Sequence, residues 1–231
     1  MGFVVLPALV SDIEKVYDIY FAAFGNDLLG SLMLKILFPG GITKEFRDVH
    51  TRETLRFWQT CPFQYTMKCV DTDTGEIVGM ALGDILFHER TAEERQRPAI
   101  GWLQGEAQER AEKVVGRLWE AHEKVLGGRR HIYGHVVAVR PDRQGQKAGA
   151  ALVQWGIDTS NATGLPLYFE ASPSTYKLYE KMGFETLPET VVHKAEDVGT
   201  DADVEVPLMV RMPSSAGITF AEWRQRGFSK P

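Results

Sequence analysis

At 231 residues the chain is long enough for one large α/β domain and tight for two. Its residues are 44% hydrophobic and 25% charged, the proportions of an ordinary soluble globular protein. The net charge of −5 excludes the basic excess of a nucleic-acid binder and mildly suits a cationic partner. Two cysteines, Cys61 and Cys69, build no disulfide framework, and no cysteine/histidine cluster has zinc-ligand spacing. They are expected to be reduced and partly buried. Met1 to Val10 lacks the basic start and long apolar core of a signal peptide, and no apolar run reaches the ~18 residues of a membrane span. A cytoplasmic protein without a membrane partner is expected.

Phe3 to Pro7 reads as a short strand. Ser11-Asp12-Ile13-Glu14 follows as a capping box, in which Ser11 and Glu14 would each satisfy an orphan amide. Ile13, Val16, Tyr17, Tyr20 and Phe24 recur at helical spacing, which predicts a helix over about 12–24. Asp27–Pro39 and Lys44–Gln59 read as two more helices, broken at Pro39-Gly40-Gly41. Phe63, Tyr65, Met67 and Cys69 alternate with polar residues as a half-buried strand does. Asp71-Thr72-Asp73-Thr74-Gly75 turns the chain, and Ile77–Ile85 returns as a more fully buried strand. From Leu103 to Leu126 the set Ala107, Ala111, Val114, Val115, Leu118, His122 and Val125 lies on one helix face, which Gly127-Gly128 ends.

His131–Val139 is a strand, Ala148 to about Ala162 a helix, and Leu165–Ala171 a strand. Thr175, Leu178, Tyr179 and Met182 mark a short helix. Glu185–His193 and Val204–Met212 make a closing pair of strands, joined by an acidic connection (Glu196, Asp197, Asp201, Asp203) expected to be a solvated loop. With no internal repeat and no linker, a single domain over 1–213 is expected, followed by a tail, 214–231, without a clear period.

The segment Val137–Leu152 is strand, glycine-containing loop and helix. The first turn of such a helix turns unpaired amides and the positive end of its dipole toward the loop. Gly145, Ala148, Gly149 and Ala150 are small enough to let a phosphate reach the backbone. By itself this pattern is as compatible with a structural β–α turn as with an anion site.

Two motifs decide between them. Gln144 to Gly149 resembles motif A of the GNAT acetyltransferases, Gln/Arg-x-x-Gly-x-Gly/Ala, with Gln144 and Gly149 in its first and last places and Lys147 where its middle glycine is expected. Gly164-Leu165-Pro166, Glu170-Ala171-Ser172-Pro173 and Leu178-Tyr179-Glu180-Lys181-Met182-Gly183-Phe184 resemble motif B, in particular that of fungal-type members. The resemblance implies a GNAT fold, of mixed α/β (α+β) class: a mostly antiparallel twisted sheet of six to seven strands, flanked by helices and splayed at the acetyl-CoA site. It implies acetyl-CoA as cofactor and an acyl-CoA N-acyltransferase activity. Val137, Ala138 and Val139 would pair with the pantetheine arm. Gln144, Gly145, Gln146, Lys147, Ala148, Gly149 and Ala150 would grip the pyrophosphate, and Ser172, Ser174, Tyr176 and Tyr179 would complete the cofactor contacts. Lys147 either weakens the backbone grip or adds an ammonium that neutralises phosphate.

Acetyl transfer from a thioester to an amine needs a base for the amine's proton, a donor for the oxyanion and an acid for the departing thiolate. In the family the tyrosine at the position of Tyr179 protonates the coenzyme A sulfur; the alternative is a tyrosine that packs on the cofactor. His135 is the candidate base, on the strand leading into the loop and with a side chain suited to neutral-pH proton transfer; a satisfied sheet histidine is the alternative. Glu170 is the rival base, or orders Ser172 or a substrate ammonium. His131 and His193 have no motif support and are expected to be structural or exposed. The expected acceptor is a small-molecule amine, used by a monomer or homodimer. Protein lysine or N-terminal acetylation, and a non-catalytic coenzyme A sensor, stay open.

Overall fold

A computed structural model describes residues 2–97 and 99–226 of the protein. The alternating and apolar segments form seven strands: β1 (Phe3–Pro7), β2 (Gln64–Asp71), β3 (Ile77–Leu86), β4 (His131–Val139), β5 (Leu167–Glu170), β6 (Glu185–His193) and β7 (Val204–Arg211). Their order in the mixed sheet is β1-β2-β3-β4-β5-β7-β6. The β1/β2, β2/β3, β5/β7 and β6/β7 pairs are antiparallel. β4 and β5 run parallel through Ile132↔Leu167 and Tyr133↔Tyr168. The helices are α1 (Ile13–Gly25), α2 (Leu28–Leu37), α3 (Lys44–Thr60), α4 (Gly105–Leu126), α5 (Ala148–Thr163), α6 (Tyr176–Lys181), α7 (Ala195–Val198) and α8 (Phe220–Gln225).

Three local expectations are corrected. The Ser11–Glu14 capping box does not form, because a 3-10 turn over Val10–Asp12 moves the cap back to Leu9. Asp12 then does the reciprocal work, accepting the Leu9 amide at 2.8 Å and the Lys68 ammonium at 2.5 Å. The acidic connection after β6 is not merely solvated. It forms α7, and Asp197, only 7% exposed, is paired with Lys113 at 2.6 Å and Arg117 at 2.8 Å. The hydrogen bond from Lys113 leads in holding its carboxyl below the usual range. The aperiodic tail carries α8, started by a Thr219/Glu222 capping box and anchored by a fully buried Phe220. With Phe220 as its one buried residue, α8 offers no apolar period to read.

The chain forms two compact units, and the division falls within β4. One runs up to Ile85 and includes Gly134–Thr159; the other comprises Leu86–Tyr133 and the chain from Ser160. In the first, Val136 and Ala138 pack with Val16 and Ile19 of α1, whereas Val139 packs with Ala148 and Leu152 of α5. Neighbouring residues of a strand point to opposite faces, so α1 and α5 cover the two faces of this part of the sheet.

In the second unit, Phe169 of β5 meets Tyr179 of α6 and Phe184. Tyr168, on the other face, meets His122 of α4 and Tyr133. α4 buries Ala111, Val114, His122 and Val125 of its expected stripe and ends at Gly127, whose φ of +58° suits a residue without Cβ. Cys61 and Cys69 are free and buried.

Candidate active site

The loop between β4 and α5 is fastened from below. Arg143 of a 3-10 turn over Pro141–Arg143 pairs with the fully buried Asp71 at 3.3 Å and with Glu76 at 3.1 Å. Arg140 pairs with Glu76 at 3.2 Å and with Asp142 at 2.7 Å. The hydrogen bond from Arg143 and the charge of Arg140 hold the Glu76 carboxyl below its usual range. Asp71 and Glu76 flank the β2–β3 turn, so two arginines beside the loop are spent on the protein's own carboxylates. The Gln144 amide donates to the Val139 carbonyl at 3.3 Å.

Beyond that anchor the backbone takes two left-handed residues. Gly145 has φ +74°, and Lys147 has φ +76°, the positive φ of a non-glycine residue among those described. Lys147 stands where motif A has a glycine, so the motif's preference has a conformational cause: the position is left-handed, and a Cβ there costs about 1–2 kcal/mol. The Lys147 side chain is exposed. The helix closes its first bond from the Ala151 amide to the Lys147 carbonyl at 3.0 Å. The amides of Ala148, Gly149 and Ala150 therefore precede the intrahelical ladder. A Cβ on Gly149 would meet Val139 Cγ2 at 3.5 Å, ordinary contact, so the chain's own packing does not demand glycine here. The Gln146 Oε1 is buried without a hydrogen-bond partner among the described residues. An α-helical N-terminus, small residues, a lysine and an orphan polar atom at one loop fit an anionic diphosphate.

The same unit holds His135. Its Nε2 lies 2.9 Å from Asp84 Oδ2, and Gln64 Nε2 donates to Asp84 Oδ1 at 3.2 Å. Among the pantetheine candidates of β4, Val137 is exposed and Ala138 is buried.

In the second unit, Tyr179 packs edge-on against Phe169, with centroids 4.6 Å apart, and against Phe184 at 6.0 Å. Glu170 is on the other face of β5 from Phe169. Its two oxygens accept from the Tyr133 hydroxyl and the Tyr168 hydroxyl, each at 2.9 Å. Tyr179 and Glu170 are thus assigned to opposite sides of one strand. Burial, and then the Glu170 charge, push the Tyr168 phenol far up. Ser172 and Ser174 share a 3.0 Å hydroxyl contact, and the Ser172 carbonyl accepts the Thr175 and Tyr176 amides, so 172–176 is a tight turn into α6.

His131 and His193 are both fully buried, the structural alternative of the two expected. His131 Nδ1 meets the Arg129 carbonyl at 2.7 Å and its Nε2 meets His122 Nε2 at 2.8 Å. Burial, then the neighbouring His122, depress the His131 imidazole to about 3.

Sequence reasoning missed Asp84, Gln64, Tyr133 and Tyr168. Asp84 had a signal, as a lone carboxylate inside the apolar run Ile77–Leu86. The two tyrosines read as ordinary strand aromatics, and only the fold sets them on Glu170.

The profile of the Acetyltransferase (GNAT) domain matches residues 105–186. A probable acyltransferase, SID5, of Ajellomyces capsulatus is 34% identical over 122 residues, spanning 53% of this chain and 84% of that protein. Among solved structures, arylalkylamine N-acetyltransferase 2 from Aedes aegypti shares the fold with a TM-score of 0.66 at 13% identity, over 92% of this chain and 99% of that one. A GNAT superfamily phosphinothricin acetyltransferase from Sinorhizobium meliloti, solved with AcCoA, aligns with a TM-score of 0.55 at 15% identity, over 95% and 93%. Fold and sequence together define an acyl-CoA N-acyltransferase. The seven-stranded, mostly antiparallel sheet with its flanking helices is the GNAT fold, and the chain belongs to the GNAT acetyltransferase family.

Proposed function

We propose that this enzyme transfers the acetyl group of acetyl-CoA to the primary amine of a small molecule, by direct attack in a ternary complex. The observation that carries the proposal is the head of α5. Lys147 is left-handed at the motif's glycine position, and it is followed by three small residues whose amides precede the helical ladder. The 3′,5′-substituted nucleotide of the cofactor supplies the matching diphosphate. Gln144–Ala150 would bind it, Val137–Val139 would pair with the pantetheine amides, and Ser172, Ser174 and Tyr176 would line the remainder.

In the reaction the amine nitrogen bonds to the thioester carbonyl carbon, and the C–S bond breaks. His135 takes the proton that the amine loses, and Tyr179 gives one to the leaving sulfur; each returns to its resting state through solvent. The two phenols around Glu170 support an anchoring role for that carboxylate toward the acceptor's ammonium, rather than proton transfer. The buried free thiols fit a reducing compartment, and we assign the enzyme to the cytoplasm.

Two measurements test this. Acetyl-CoA at a hundred times its Kd stabilises the native state by about 2.7 kcal/mol, a rise in Tm of about 5–10 °C. Thiol release from acetyl-CoA should then depend on one or more of tryptamine, cadaverine and lysine, and fall about 10²–10⁴-fold in Tyr179→Phe with the thermal shift intact. Absence of the shift at millimolar acetyl-CoA would refute the reading.

A further inference from the structure

Asp84 is a carboxylate in a strand that is otherwise apolar, bounded by Gly83 and Ile85, and its side chain is 15% exposed. A charge so sheltered is costly unless it is paired and hydrogen-bonded. Both of its oxygens are engaged, by different donors. Gln64, its cross-strand neighbour in the β2/β3 register, donates to Oδ1 at 3.2 Å, and His135 meets Oδ2 at 2.9 Å. The carboxylate's reach extends further: burial, and then the Asp84 charge, keep the Cys61 thiol protonated, so that thiol is no rival nucleophile.

We propose that Asp84, held in place by Gln64, is the positioning residue of the acetyl-transfer base: it fixes His135 in the tautomer whose Nδ1 receives the amine's proton. The inference rests on the reading of His135 as base. A carboxylate only accepts, so the proton between the two groups belongs to His135 Nε2, and a neutral ring carries its lone pair on Nδ1. When the amine nitrogen bonds to the thioester carbon, its proton moves to Nδ1. The resulting imidazolium then sits 2.9 Å from a fixed anion that needs no reorganisation. Gln64 belongs to the mechanism only through Asp84, as the group that stops the carboxylate rotating away.

The experiment uses the full chain with acetyl-CoA and whichever of tryptamine, cadaverine and lysine gives the fastest thiol release. Asp84→Asn keeps the shape and removes the charge. Its kcat is expected to fall about 10²–10⁴-fold with the KM for acetyl-CoA within about twofold, and the acidic limb of the pH profile to move to lower pH. Asp84→Glu should recover part of the rate, and Gln64→Leu should show a smaller loss in the same direction. Nitrogen-15 spectra of the wild type, free of ligand, should show the neutral His135 ring protonated at Nε2, a readout that stands even where the Asn variant does not fold. A wild-type ring protonated at Nδ1, or an Asp84→Asn enzyme with unchanged kcat and acidic limb beside an inactive His135→Ala, overturns the inference. Full turnover in His135→Ala instead brings down the base reading, and this inference with it.

Discussion

Lys147 shows how a single residue reports on both conformation and ligand. Its φ of +76° is one that glycine adopts freely and lysine does not. Lys147→Gly should therefore leave the fold intact and raise stability by about 0.5–1 kcal/mol, the strain relieved less the extra chain entropy of glycine. Thermal melting without ligand checks this, and a fall in Tm would show that the lysine side chain makes a compensating contact. Lys147→Glu separates the second role. Arg140 and Arg143 are already matched with carboxylates, so reversing this exposed charge should weaken acetyl-CoA binding, with the gap from wild type narrowing in high salt. Equal affinities would mean that the ammonium points away from the phosphates. Of the proposed site residues, those in contiguous motifs (Gln144, Gly149, Tyr179) are legible in the sequence as motif members. Asp84, Gln64, Tyr133 and Tyr168 are not, because their partners lie 20 to 51 positions away in sequence or depend on which face of a strand they take.

At the level of elements, residue spacing located the long helices, the alternating strands and the short α6, and missed α7 and α8. α4 announces itself over 22 residues, yet Val115, expected in its stripe, is only half-buried, because its neighbour Val114, about 100° away around the helix, takes the centre of the buried face. α7 and α8 show no apolar period and exist because tertiary partners hold them. Phe220 is their clearest case, 1% exposed and stacked on Trp223 with centroids 5.4 Å apart. Phe220→Ala should cost about 3–5 kcal/mol, and lower Tm by on the order of 10 °C. A change of under 2 °C would mean that α8 contributes nothing to the fold.

The whole molecule carries a pH dependence to which sheltered groups of the second unit contribute. His131 has a folded-state pKa of about 3 against an ordinary 6.5, so the unfolded chain binds its proton more readily. The stability from keeping His131 neutral is present in full above pH 6.5 and is lost as pH falls from there toward 3. Glu123 adds a lower window. Against the cost of burial, hydrogen bonds from His122 and Arg95 and the charge of Arg90 hold its carboxyl at about 2, so its contribution is lost only as pH falls from 4.5 toward 2. Melting curves should thus be level near neutrality and begin to drop below pH 6.5, by about 2–4 °C for each kcal/mol lost. In His131→Gln the upper drop should shrink to what His50 and His193, also depressed by burial, contribute, and the lower one remain. A wild-type Tm unchanged between pH 7 and 4.5 would contradict the burial of a neutral His131.

The amino-acid sequence by itself determined the long elements and the family, because each is written in neighbouring residues whose spacing obeys local rules. Tertiary structure alone decided which carboxylate meets His135, which face of β5 carries Glu170 and which carries Tyr179, and that Asp197 and Phe220 are interior. Those outcomes depend on strand register and on burial between segments remote in sequence, where a one-residue shift would turn every side chain to the other face.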